Sequence, residues 1–161
     1  MTIKLIVAIA FSIIMALLIR RYFLYVTVVS SYSMYPLLKP GDRVFTLRIY
    51  RFNRIYRGNI LIFYSNEMQE MMIKRIIGLP GDHVNICRNG DVYINREKLE
   101  EPYVQYRGGS VGIFEIPERK YFLLGDNRVK SRDCRHFREA YISQNEIRGK
   151  AILCLYPMRR V

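Results

Sequence analysis

The run Leu5–Ile19, LIVAIAFSIIMALLI, constrains this chain more than any other stretch. It is apolar apart from Ser12, with no polar face. A surface helix of a soluble domain needs such a face, so a soluble core helix fits poorly. Two readings compete. A cleaved leader has a basic start and an apolar segment of about 7–15 residues. A membrane anchor needs about 20 residues. Ile3 and the stems of Lys4 and Arg20 can extend the run, because long basic side chains snorkel to an interface. Arg20 and Arg21 follow at once, where leader cleavage wants small residues. The expectation is an uncleaved anchor over residues 1–21.

Beyond the anchor the pattern is mostly β. YFLYVTVV (Tyr22–Val29), RVFTLRIY (Arg43–Tyr50), NILIFY (Asn59–Tyr64) and MMIKRIIGL (Met71–Leu79) are rich in β-branched and aromatic residues and are separated by turn signals. HVNIC and VYI follow, joined by RNGD, and Asn89-Gly90 between such runs signals a hairpin. YFLLGD and KAILCLYP close the chain, and Ser143–Glu146, SQNE, matches a capping box. At 161 residues the chain fits one β-rich domain over 22–161, with a hairpin-containing insertion at about 81–119. Such short strands predict a mainly antiparallel, coiled or barrel-like sheet.

The charge balance is +12, from 26 Lys and Arg against 14 Asp and Glu. That excess suits an anionic neighbour, either nucleic acid or a lipid surface. No basic tail or nucleic-acid-binding fingerprint accompanies it, so lipid is favoured and no nucleic-acid partner is expected. Cys87, Cys134 and Cys154 form neither a disulfide framework nor a metal pattern, although Cys134 and Cys154 could pair.

Three segments carry candidate chemistry. They are SSYSMYPLLKPGD (Ser30–Asp42), MIKRIIGLPGD with Lys74, and YFLLGDNRVKSRDCRHF. On composition the first is an ordinary polar loop. Peptide hydrolysis needs a nucleophile, a base and an oxyanion stabiliser. The only histidines are His83 and His136, without a local signature of a serine–histidine site. A lysine can replace histidine when desolvation lowers its pKa. Period-2 alternation sets Lys74 on one face with Met72 and Ile76, and Arg75 on the other with Ile73 and Ile77. The pattern alone is equally compatible with a snorkelling edge lysine.

Taken together and in this order, these segments resemble those of bacterial type I signal peptidases, the membrane-anchored Ser/Lys serine proteases. RGNILIF and IRGKA extend the match over most of the chain from Ser30 to Pro157. The resemblance implies Ser33 as nucleophile and Lys74 as general base. It implies an oxyanion hole from the Ser33 N–H and the Ser31 hydroxyl, with Ser131 orienting the lysine. Asp126, Asp133 and Arg135 would hold the site loops. Met34, Met72 and Ile73 would line substrate pockets, with Met34 beside the site on a membrane-facing apolar surface. The implied substrates are preprotein signal peptides, with no cofactor and no metal.

The chain also departs from the family pattern. Asn59 stands where an Asp is usual, Val129-Lys130 where Asp-Asn is usual, and Cys134 where Ser is common. These changes bear on substrate range and point to a specialised paralogue. Counting basic residues literally would place the large domain in the cytoplasm. The resemblance implies the opposite, a single-pass protein of the cell membrane with its catalytic domain outside. Two other readings stand beside it. A self-cleaving Ser/Lys repressor would need a DNA-binding domain where the apolar run lies. A degenerate, non-enzymatic homologue would be tethered for surface polymer assembly.

Overall fold

The computed structural model describes residues 2–108, 110–156 and 158–161. Pro157, which ends the last predicted run, lies outside them. The apolar run is one helix, α1 (Thr2–Tyr22), exposed along its length. Residues Ile3–Tyr22 are long and apolar enough to cross a membrane, with a mean hydropathy of 2.4. The helix runs three residues past the apolar stretch and takes in Tyr22, which the sequence assigned to a strand. Its last turn is completed by Phe23, whose N–H donates to the Ile19 carbonyl at 2.8 Å.

The strands follow as β1 (Leu24–Val28), β2 (Arg43–Arg48), β3 (Ile60–Ser65), β4 (Glu70–Gly78), β5 (His83–Ile86), β6 (Val92–Ile94), β7 (Glu97–Lys98), β8 (Gly112–Glu115), β9 (Lys120–Leu124), β10 (Ile142–Ser143), β11 (Ile147–Tyr156) and β12 (Met158–Arg160). They form two antiparallel sheets. The larger has the order β1-β2-β11-β3-β4-β9-β10, with β12 added beside β11. The smaller has the order β7-β6-β5-β8. The fold is thus mainly β with one N-terminal apolar helix, and the large sheet coils without closing a barrel. The Asn89-Gly90 turn joins β5 to β6, with Gly90 at φ +84, a conformation open to glycine. The SQNE box caps a single 3-10 turn, in which Ser143 and Glu146 satisfy each other's backbone N–H groups.

The sheet's two faces explain why β3 reads ILIF without polar alternation. Leu61 and Phe63 enter one core cluster, together with Met72 and Ile76 of β4, Val84 and Ile86 of β5, and Phe122–Leu124 of β9. Ile60 and Ile62 enter a second cluster with Val29, Met34, Leu38, Val44 and Ile73. Both faces of β3 are therefore covered, and a strand buried on both faces is apolar throughout. The second cluster lies under the β1–β2 connection, residues 29–42. That connection is pinned at its base, where the Val29 N–H donates to Asp42 O and the Gly41 N–H to Val29 O, both at 2.9 Å. Gly41 turns the chain at φ +92. Cys134 and Cys154 are buried in different clusters and form no disulfide with each other.

Candidate active site

The pinned β1–β2 connection presents Ser33, and the middle of β4 presents Lys74. The two residues are 41 positions apart in sequence, yet Lys74 Nζ donates to Ser33 Oγ at 2.7 Å. Ser33 is 4% exposed and Lys74 3%, so water has little access to either. Across the β3–β4 ladder Lys74 faces Leu61, and its neighbours two positions away, Met72 and Ile76, are buried. Burial in this apolar setting lowers the lysine pKa from 10.5 to about 8, against the opposing pull of Asp133 and Glu70. An amine at that value is neutral in a useful fraction of molecules near neutral pH, as a general base must be.

Ser31 stands next to the nucleophile. Its hydroxyl lies 3.2 Å from Ser33 Oγ, and the Ser33 N–H points to Ser31 Oγ at 3.5 Å. The two donors named from the sequence thus sit together at the mouth of the site.

Gly125–Arg135 forms the third wall. The Asn127 N–H donates to the Ser33 carbonyl at 3.0 Å and ties this loop to the nucleophile's backbone. Gly125 makes a close approach possible. A Cβ there would collide with Ser131 Oγ and the Ser33 carbonyl oxygen. Asp133 accepts from the Gly125 N–H at 3.0 Å and from Arg135 Nε at 2.8 Å. Burial pushes its carboxyl up, but the Arg135 guanidinium and the Gly125 N–H outweigh that and hold it below the usual range. Arg135 also donates to the Arg128 carbonyl at 2.9 Å, which locks the loop's ends together.

Asp126 is held from the other side. Arg75 Nε and Nη2 grip its two carboxylate oxygens at 2.8 and 2.6 Å. The Arg75 guanidinium also stacks on the Tyr103 ring, 4.0 Å from its centroid. Arg128 pairs with buried Glu101, joining the 81–119 stretch to the site loop. The sequence reading passed over Arg128, Glu101 and Asn127. Only Arg75 left a signal, a second buried charge on the strand that carries Lys74.

Two expected placements differ. Ser131 is buried beside Gly125, yet its hydroxyl makes no hydrogen bond to Lys74. It lies close enough to Asp133 to favour that carboxylate's ionised form, without meeting a partner at hydrogen-bond geometry. Met34 is fully buried in the second core cluster, not on a membrane-facing apolar surface. Its side chain packs with Leu38 and Val44 because the Leu38 N–H bonds back to Met34 O at 2.8 Å and folds that segment inward. Met72 and Ile73 do reach a cavity. It has a volume of about 140 Å³ and lies beside Lys74, between Thr27–Ser31 and the Glu70–Ile73 edge.

Comparison with known proteins gives the family of the chain. The family model described as "Signal peptidase, peptidase S26" matches residues 2–156. The chain is 32% identical to signal peptidase I of Bacillus licheniformis over 96% of this chain and 88% of the relative. It is 36% identical to signal peptidase I of Leptolyngbya laminosa over 95% of this chain and 79% of the relative. The crystal structure of a signal peptidase I from Enterococcus faecalis superposes with a TM-score of 0.54 at 29% identity, over 60% of this chain and 96% of that one. A family match across nearly the whole chain, supported by relatives of like length and by a shared fold, makes this chain a member of the signal peptidase family.

Proposed function

We propose that this protein is a signal peptidase I-type serine endopeptidase that uses Ser33 and Lys74 as a catalytic pair. The observation that carries this is the 2.7 Å contact between two buried side chains, one of them an amine with a lowered pKa. Neutral Lys74 takes the proton of Ser33 Oγ as that oxygen attacks the scissile carbonyl. The negative oxygen that forms is stabilised by the Ser33 N–H and the Ser31 hydroxyl. The Lys74 ammonium then gives its proton to the departing amine, leaving an ester on Ser33. Neutral Lys74 next activates a water, which hydrolyses the ester and restores the serine.

The loop residues serve this pair without touching substrate. Asp126, Asp133 and Arg135 fix the wall that carries Ser131. The Ser131 hydroxyl, buried and unmatched, is available to accept a hydrogen from Lys74 after a small side-chain rotation. Met72 and Ile73 line the small cavity in which the residue before the cut is held.

In this reading α1 anchors the protein in the cell membrane, with residues 22–161 on the extracytoplasmic side, where preprotein signal peptides emerge. The basic surface then faces anionic lipid headgroups. The intact Ser33–Lys74 contact gives no support to a degenerate, non-enzymatic role. The test is incubation of the purified full chain in detergent with a preprotein. Wild type should release the mature protein and Ser33→Ala should not. Equal processing by both would overturn the assignment.

A further inference from the structure

The chain next to Ser33 lines two cavities. Ser30 and Ser31 line the small one beside Lys74. Tyr32 and Tyr35 line a second, of about 550 Å³, together with Lys39, Tyr106, Asn127 and Lys130. A peptide with the residue before the cut in the first cavity can continue past Ser33 towards the second. We propose that this second cavity receives the first residues after the cut and selects acidic side chains there. The proposal rests on the peptidase reading above and adds a substrate class to it.

The cavity's walls are built by the same contacts that hold the nucleophile. The Asn127 N–H is bonded to Ser33 O, while its side-chain oxygen accepts from the Lys130 N–H at 3.2 Å. The Lys130 backbone is thereby tied to that of Ser33. Tyr35 meets Tyr32 edge-on at 6.1 Å between ring centroids, and Tyr106 at 5.8 Å. These rings form a stiff wall with low entropic cost of ordering. Lys130 Nζ sits 5.7 Å from the Tyr32 ring centroid, over its face.

The charge is one-sided. No carboxylate lines this cavity, and among the described residues neither lysine side chain is in a salt bridge, although the Asp42 carboxylate accepts the Lys39 N–H at 3.1 Å. The cavity beside Lys74, by contrast, contains Glu70. Lys130 is also one of the departures noted in the sequence, a cation where the resembled box has a neutral amide next to an acid. Two lysines over an aromatic wall attract a carboxylate and repel another cation.

The test uses full-length protein in neutral detergent and three peptides. Each has Ala at the first and third positions before the cut, and Asp-Glu, Gln-Gln or Lys-Lys directly after it. Wild type should cleave the Asp-Glu peptide with a kcat/KM about tenfold above the Lys-Lys peptide, the scale of two exposed charge pairs acting together. Added salt should shrink that ratio. Both lysines are exposed, so Lys39→Glu and Lys130→Glu place no new charge in the core. The Lys39→Glu/Lys130→Glu protein should prefer the Lys-Lys peptide. Equal rates on all three peptides, or a preference unchanged in the double variant, would overturn the proposal and leave the peptidase reading intact. Loss of the preference on adding anionic lipid vesicles, but not zwitterionic ones, would assign the cavity to headgroups instead. Failure of wild type to cut any of the three would overturn the peptidase reading itself.

Discussion

Arg75 holds Asp126 through two parallel hydrogen bonds, one residue along β4 from Lys74. The strand thus delivers one buried cation to the nucleophile and the next to the loop that walls the site. Burial pushes the Asp126 carboxyl up, against the pull of Arg75. A pair of this kind adds little net stability when whole but is costly to break, since the survivor stays buried and unpaired. Asp126→Ala should lose about 3–5 kcal/mol of stability in chemical denaturation. The double change Arg75→Met/Asp126→Leu should lose clearly less than the two single changes summed.

Lys74 links both activity and stability to pH, and both rise as the amine loses its proton. Its folded-state pKa, about 8, lies below the free value of 10.5, so folding disfavours the charged amine. The rate should rise with pH through about 8, as the base loses its proton. Lys74→Arg should be inactive throughout, because arginine stays protonated. The stability penalty is carried in full below pH 8 and is relieved as pH rises towards 10.5. Lys74→Met should therefore be inactive yet more stable than wild type at pH 7, by about 1–3 kcal/mol. That advantage should fade in melts taken between pH 8 and 10.5.

Ser131 separates orientation from support. A buried hydroxyl that meets no partner at hydrogen-bond geometry can cost about 1–3 kcal/mol, and the nearness of Ser131 to the Asp133 carboxylate is the least of the effects that favour that carboxylate. Ser131→Ala should melt at or above the wild-type temperature. If the hydroxyl steadies Lys74 during the reaction, kcat should fall about tenfold to a hundredfold with KM nearly unchanged. A large drop in stability with unchanged kcat would make Ser131 a packing residue.

The cavity beside Lys74 sets the expected cleavage preference. At about 140 Å³, with Met72 and Ile73 in its walls, it has room for little more than a small side chain. Side chains one and three positions before the cut point the same way from an extended peptide. Ala should be favoured at both, and the residue between them should be freely variable. Phe or Lys at the position before the cut should abolish processing, measured on a model preprotein. Met72→Ala should partly restore cleavage of the Phe variant by enlarging the cavity.

Local pattern made most of the strands legible. β-Branched and aromatic residues between turn signals mark β2, β3 and β4 within a residue or two, and Asn89-Gly90 marks the hairpin. The Ser33 and Lys74 segments are legible as motifs, and the structure brings these two side chains together. What could not be read depends on partners distant in sequence. Arg128 and Glu101 are 27 residues apart, and nothing local to either says that they pair. Met34 sits beside the nucleophile in sequence, which suggests a pocket, yet the inward turn of residues 34–38 takes it into the core. Tyr22 has strand propensity, but the preceding helix carries on through it, since an established helix adds a bonded residue more easily than a strand is begun.

A single residue, Phe23, separates α1 from β1. Its N–H completes the helix, and its carbonyl accepts the Arg48 N–H at 2.8 Å, while the Tyr50 hydroxyl reaches back to Tyr22 O at 2.6 Å. No slack remains at this joint. With α1 in a bilayer, the five residues of β1, at about 3.3 Å each, become a post of fixed length between the lipid surface and the nucleophile's loop. The enzyme would then act as a gauge, in which the altitude of Ser33 is a constant of the scaffold. A substrate anchored by its own apolar stretch would be cut where its chain reaches that altitude, so a count of residues is converted into a place in space. Slipping a flexible insert in at Phe23 would leave the chemistry whole and spoil the measurement, with cuts scattering over neighbouring bonds.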